Sequence, residues 1–263
     1  MVNVSEGRRP EVIAALVAAA GDDLLDVHTD VHHHRSVLTL VGEQAPRAVA
    51  AAAVDRIDLG AHAGAHPRLG AVDVVPFVPL AGATMADAIA ARDRFGDWLG
   101  SSLGVPSFTY GPGSRSLPEV RKGAFVRLAP DHGPPQAHPR AGATAIGART
   151  VLVAYNLWLA HPDLALARAL ARSLRGPSVR ALGLAVGAAV QVSMNLIEPF
   201  RVGPEAVYDR VAADAAIDRA EVVGLVPEAV LDSVEQRRWG QLGLEPDRTM
   251  EARLKQRPAD PFH

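Results

Sequence analysis

Apolar positions recur along the chain with two different spacings. A helical spacing predicts helices over residues 11–20 and 45–59, and a long amphipathic one that runs from Thr84 to Leu103. Thr84 followed by Asp87 is an acidic form of the capping box. Short apolar runs predict strands over residues 24–28 and 36–42, joined by a polar, His-rich connection. A further run over 72–80, apolar at nearly every position and broken by Pro76 and Pro79, predicts a buried strand entering a loop. Residues 106–110 form a short strand, and 111–116 a turn-rich break. From 130 to 147 the periodicity stops and Pro130, Pro134, Pro135, Pro139, Gly133, Gly142 and Gly147 crowd together, as in a linker or a shaped ligand loop. Then strand 151–159, helix 163–174, strands 179–186 and 189–196, helix 203–220 and strand 221–226 follow, and Pro227 opens another helix. Beyond Arg237 the chain is charged and Pro-punctuated, and a tail on the surface is expected.

The order β-α-β-β-α-β in the second half is the ferredoxin-like signature, and the first half repeats it if a strand ends near Val4. The predicted fold class is therefore α+β, two ferredoxin-like subdomains in a structural duplication.

Composition narrows the function. With 27 Lys+Arg against 29 Asp+Glu the net charge is -2, no footprint for a nucleic acid or an anionic membrane. The absence of cysteine excludes disulfides, thiolate metal sites and a thiol nucleophile. Lys122 and Lys255 are the only lysines, so positive charge rests on arginine, which a GC-rich genome would also produce. The best apolar run, 181–192, is too short to span a membrane, and Glu6 and Glu11 spoil the signal-like pattern around Arg8-Arg9. A soluble, cytoplasmic protein is expected.

Six of the ten histidines (His28, His32, His33, His34, His62 and His66) fall within about forty residues. With Asp26, Asp30 and Asp73 they could suggest a metal site, but His62 and His66 are separated by Gly64 and three consecutive histidines cannot point one way, so no metal is expected. His66, between a Gly hinge and Pro67 just before a buried strand, sits on a rigid turn, as a catalyst or simply as a surface residue. Asn3 and Ser5 could present polar groups to a ligand, although a cap before the first helix is the simpler reading. Residues 142–149 lack the glycine spacing of a phosphate loop; their small side chains suit close backbone packing against a flat ligand or a strand.

In register, the segments 3–7, 24–27, 30–37, 66–73, Asp131 with Gly133-Pro134, His138-Pro139 with 141–143, 147–149 and 192–195 resemble the formiminotransferase family, over residues 3 to about 254. The resemblance implies two ferredoxin-like subdomains, 1–148 and 149–238, with a folate-holding groove between them, a charged tail at 239–263, and usually a homodimer. It implies transfer of the formimidoyl group of N-formimidoyl-L-glutamate to N5 of tetrahydrofolate, a co-substrate, in histidine catabolism. The catalytic residue matches His66, whose imidazole suits proton uptake and return near neutral pH. The folate loop matches 133–142, with Gly133, Pro134, His138, Pro139, Arg140 and Gly142 as contacts, and Asn3, Ser5, Asp26, His28, Asp73 and Asn195 join them as substrate-binding residues. Arg35, Arg68 and Arg149 are the candidates for glutamyl carboxylates. The chain departs from the family pattern at His28, His34, Ala65 and Arg140, and at its first strand, where only Met1 and Val2 precede the motif at Asn3, so that either an upstream start or a shortened first strand is expected. A folate-binding protein without transferase activity and a metal-dependent amidine or formyl hydrolase are the rival readings.

Overall fold

A computed structural model describes residues 1–62, 68–80 and 82–257 and divides the chain into two compact units, Met1–Thr150 and Val151 onward. The architecture is α+β, with ten strands in two sheets and eight α-helices among the described residues. No described helix is long and apolar enough to cross a membrane.

The first unit contains β1 (Val2–Val4), α1 (Pro10–Ala20), β2 (Leu24–Asp30), β3 (Arg35–Leu40), α2 (Gln44–Arg56), β4 (Val72–Phe77), α3 (Met85–Leu103), β5 (Ser107–Tyr110), α4 (Leu117–Gly123) and β6 (Thr144–Ala148). Its sheet order is β2-β3-β1-β4-β6-β5. The three-residue β1 pairs antiparallel with both β3 and β4, and β6 runs parallel to β4 and β5. Strand alternation sends Val2, Val4 and Leu38 towards the helices, where they pack with Leu16, Val49, Phe95 and Leu99. It sends Asn3 to the other face, and the polar site is built there. The capping box at the start of α3 is formed by Thr84 and Asp87, as the sequence predicts.

The second unit contains β7 (Val153–Leu159), α5 (Leu164–Leu174), β8 (Val179–Val186), β9 (Ala189–Leu196), α6 (Pro204–Ala212), β10 (Ile217–Val223), α7 (Glu228–Asp232) and α8 (Met250–Lys255). Its antiparallel sheet has the order β10-β7-β9-β8. Tyr155, Leu157, Val192 and Leu196 pack beneath Ala167, Leu170 and Val211. Helix α5 lies so close to β8 that a Cβ on Gly183 would strike the backbone of Ala167 and Arg168.

Several elements differ from expectation. The end of the aperiodic 130–147 stretch is strand β6, inserted between β4 and β5, and its small side chains allow that close fit. Helix α4 was not foreseen, although Ser116 and Glu119 make a complete capping box. Helix α6 ends at Ala212 instead of 220, because Ile217 and Ala220 turn to the core from a strand. The segment expected as a surface tail packs inward: Leu242 and Leu244 are buried, and the Tyr155 hydroxyl donates to the Leu242 carbonyl at 2.8 Å.

Candidate active site

The face of the first sheet turned away from α1, α2 and α3 carries a connected polar layer. Asn3 donates through Nδ2 to the Val74 carbonyl at 3.0 Å, which fixes its amide so that Oδ1 accepts from Arg35 Nη2 at 2.6 Å. Arg35 also approaches Asp73 at 3.3 Å. Asp73, only 2% exposed, accepts from Arg121 at 2.7 and 3.3 Å and from the Leu69 backbone N–H at 2.8 Å. Beside them Tyr110 lies flat against Gly147, where any Cβ would collide with the ring. Burial pushes the Tyr110 hydroxyl up to about 12, so at neutral pH it keeps its proton. Burial pulls the guanidinium pKa values of Arg35 and Arg149 down, while Asp73 and Tyr110 respectively oppose the shift, and both arginines stay charged.

A second cluster adjoins the ends of the 63–67 segment. Glu6 is 1% exposed and accepts from the backbone N–H groups of Gly7, Arg8 and Arg9 at 2.9, 2.8 and 3.0 Å and from Arg9 Nε at 2.6 Å. Burial would raise its pKa, but these donors prevail and hold it below the usual carboxylate range. The expected side-chain cap on α1 is not formed: Arg9 is the N-cap residue and receives no side-chain cap bond, Glu6 instead gathers the N–H groups of the turn that precedes the helix, and Ser5 donates to the Gly70 carbonyl at 2.8 Å. Gly7 lies so close to Asp30 and Arg35 that a Cβ would strike their backbone. Its N–H also donates to His34 Nδ1 at 3.0 Å.

His34 has a left-handed φ of 52° and stacks on His62 with ring centroids 4.0 Å apart. Burial, then the neighbouring imidazole, lowers the His34 pKa; burial, then Arg68, lowers that of His62. Both rings are therefore neutral near pH 7, with His34 Nδ1 an acceptor and its 3.4 Å approach to Glu6 a contact between uncharged ring and carboxylate. Arg68 Nη2 donates to the His62 carbonyl at 2.7 Å, tying residue 62 to residue 68. Gly70 bridges Gly142, and the Leu59 N–H donates to the Arg140 carbonyl at 2.9 Å, so 138–143 frames the same corner.

The predicted site residues therefore separate. Asn3, Arg35, Asp73 and Arg149 gather around Tyr110, and His28 shares their face, opposite Val37 on the neighbouring strand. Asp26, also on β2, is partly buried. Ser5, Arg68, His138 and Gly142 belong to the cluster at His62 and Gly70. Gly133 has φ 81° and packs against Gly100 of α3, followed by partly buried Pro134. Pro139 is exposed, and Arg140 pairs with Asp58 at 3.4 Å on the surface. Asn195 is exposed on β9, in the second unit. His66 lies outside the described residues. Among those described, no three His, Asp or Glu side chains are grouped to hold a metal ion; His33 instead pairs with Asp30 at 2.7 Å.

Residues 1–149 match the family described as the formiminotransferase domain, N-terminal subdomain. The chain belongs to the formiminotransferase family. It is 34% identical to the glutamate formimidoyltransferase of Streptococcus pyogenes serotype M1, over 89% of this chain and 90% of the relative. It is 34% identical to the Thermoplasma acidophilum protein of the same name, with 88% of each covered. The formimidoyltransferase-cyclodeaminase of Gallus gallus is 37% identical over 89% of this chain, which spans 51% of that longer protein.

Two residues of the polar layer have no counterpart among the residues that the sequence singles out. Arg121 sits on the unforeseen α4, and Tyr110 carries no motif of its own. The signal for Tyr110 was Gly147, a strand glycine whose missing side chain makes room for a ring. The capping box of α4 would have located Arg121.

Proposed function

We propose that the chain is a glutamate formimidoyltransferase that moves the formimidoyl group of N-formimidoyl-L-glutamate to N5 of tetrahydrofolate, as in histidine catabolism. The observation that carries this reading is likeness to the single-function S. pyogenes transferase over 90% of that protein's length. The first sheet's polar face adds support. Its three guanidiniums suit glutamate, a moiety found in the donor and in folate alike.

Tetrahydrofolate supplies the nucleophilic N5 amine. In the proposed division of labour His66 accepts the proton that this amine loses and returns it to the departing glutamate nitrogen, so the proton balance closes within one residue. The stacked His34–His62 pair and the Arg68 clasp hold the flanks of the His66 segment. The 133–142 loop contacts the folate. Asp26 or Asp30 offers the carboxylate that faces the amidinium, in place of the acid that His28 replaces. Since the amidinium carbon is already cationic, no metal is needed in this scheme.

We also read each unit as a ferredoxin-like repeat, the two related by duplication, with 1–148 and 149–238 as formiminotransferase subdomains and a homodimer in the cytoplasm as the working form. In support, β1-α1-β2-β3-α2-β4 and β7-α5-β8-β9-α6-β10 follow one plan, with matching sheet orders β2-β3-β1-β4 and β8-β9-β7-β10.

Replacing His66 by Ala is the test. We expect kcat to fall by about 10²–10⁴-fold, the usual value of a positioned acid/base. Near-full activity in that variant would remove His66 from the mechanism.

A further inference from the structure

The turn before α1 and the tip of the β2–β3 hairpin are fastened to each other at Gly7. A Cβ there would lie 2.3 Å from the Asp30 carbonyl oxygen and 2.7 Å from the Arg35 nitrogen, so the two backbones are in direct contact. Ser36 Oγ donates to the Glu6 carbonyl at 2.6 Å and Arg8 Nε to the Val31 carbonyl at 3.0 Å. The Gly7 N–H is shared between Glu6 Oε1 at 2.9 Å and His34 Nδ1 at 3.0 Å. Of these bonds only the one to His34 has an acceptor that titrates near neutral pH.

Two stacked rings compete for a proton here. His62 lies 4.0 Å from His34 and donates through Nε2 to the His34 carbonyl at 3.3 Å, which leaves its buried Nδ1 without a partner. A proton on His62 Nδ1 would find no acceptor, whereas His34 Nδ1 is 3.4 Å from the Glu6 carboxylate. His34 therefore takes the first proton. The other charges that act on the pair are Arg8 and Arg9, from the same turn as Glu6, and Arg68 beside His62; each opposes protonation. On the hairpin itself Asp30 is engaged by His33, and Arg35 turns to Asn3 and Asp73.

Protonation reverses the role of His34 Nδ1. An imidazolium has two donors and no acceptor, so this nitrogen can no longer accept from Gly7 and turns to Glu6 Oε1 instead. The turn breaks both the stack and the bond that holds residue 34 to Gly7. His34 has a left-handed φ of 52°, which a non-glycine residue keeps only while its surroundings fix it. Arg35 is the next residue, and its guanidinium belongs to the polar face of the first sheet. At neutral pH the bond is intact, since burial, the His62 ring and the nearby cations hold His34 below its ordinary pKa.

We propose that His34 is a positioning residue, a proton-sensitive latch that holds the hairpin tip and Arg35 in place for substrate and releases them in acid. That substrate meets this face rests on the transferase reading; the latch rests on the contacts around Gly7.

The test compares KM and backbone NMR signals across pH on the full chain. In wild type one KM should rise about 5- to 10-fold between about pH 7.5 and 5, the value of one lost hydrogen bond. His34→Asn tolerates the same φ and offers Gly7 an acceptor oxygen that does not titrate, so its KM should stay within about twofold over that range. His34→Gly takes the φ without any acceptor and should show the raised KM at neutral pH already; it carries the test if His34→Asn does not fold. In all three kcat should keep one common acid limb, which separates the latch from the proton transfer of the reaction. Without substrate, the Gly7 and Arg35 amide signals should move with the midpoint of the His34 ring in wild type and stay still in His34→Asn. A KM that rises equally in wild type and His34→Asn would overturn the proposal. So would a His34 ring that stays neutral throughout, or one that titrates while both amides stay still. A chain whose amides follow the His34 ring but that transfers nothing would keep the latch and refute the reaction instead.

Discussion

Asp73→Asn removes one negative charge and almost no volume from the centre of the polar layer. The carboxylate is 2% exposed and serves Arg121 at 2.7 and 3.3 Å, Arg35 at 3.3 Å and the Leu69 N–H at 2.8 Å. An asparagine keeps one acceptor oxygen, which at the Oδ1 position can still serve the Leu69 N–H and the long Arg121 Nη1 contact. Its amide nitrogen then takes the Oδ2 position and faces Arg121 Nη2 and Arg35 Nη1, donors that it cannot accept from. Breaking a buried ion pair from one side costs about 3–5 kcal/mol. Here the two arginines retain 19% and 22% exposure, so hydration offsets part of that loss. We expect about 2–4 kcal/mol, or roughly 5–15 °C in the melting temperature of a chain of this size. Calorimetric melting at pH 7 measures it. Because the cost comes from uncompensated charge, Asp73→Asn combined with Arg121→Gln should recover part of the loss. A single variant that melts within about 1 °C of wild type, or a double variant whose losses simply add, would refute the reasoning.

Three further outcomes are expected. His34 and His62 are held below their ordinary pKa in the folded chain. The unfolded chain therefore takes up protons first, and the stability they contribute, complete above about pH 6.5, is lost as pH falls towards the lowered values. Melting temperatures between about pH 7.5 and 5.5 should show this slope, and His34→Asn, which tolerates the φ of 52°, should flatten it. Gly100→Ala would place a Cβ 2.5 Å from Gly133 Cα and 2.7 Å from its nitrogen, so the loop must move. A loss of about 1–3 kcal/mol in thermal unfolding and a higher folate KM should result. Thr84→Ala removes the cap of α3, and a loss of about 1 kcal/mol without any change in KM should be measured.

The sequence was most legible where one force dominated. Long apolar periodicities and the Thr84 cap predict α3, and short apolar runs predict the strands of both sheets apart from β6. It was least legible where small residues carried the structure. Strand β6 is built from Thr144, Ala145, Ile146, Gly147 and Ala148, a run whose fit between β4 and β5 depends on neighbours distant in sequence. The C-terminal segment misled for the converse reason: its charges are exposed while two leucines, Leu242 and Leu244, reach the core from turns without periodicity.

The site divides in the same way. Asn3, Arg35, Asp73 and Arg149 were named from motif positions, and they lie on one face with Tyr110. Arg68 was named with the other arginines but clasps the His62 carbonyl instead. Sequence distance cannot distinguish those two destinations. Arg121 is 48 residues from the aspartate it holds, and only the placement of α4 brings them together.

The most direct test of the central claim follows the carbon itself. Formimidoylglutamate labelled with ¹³C at the formimidoyl carbon is incubated with the protein and tetrahydrofolate, and the label is traced by NMR. The account predicts that the label appears on the folate N5 in step with free glutamate, and that neither product forms when folate is omitted. Label released as formamide or formate at the same rate without folate, or a donor left intact in the complete mixture, would contradict it.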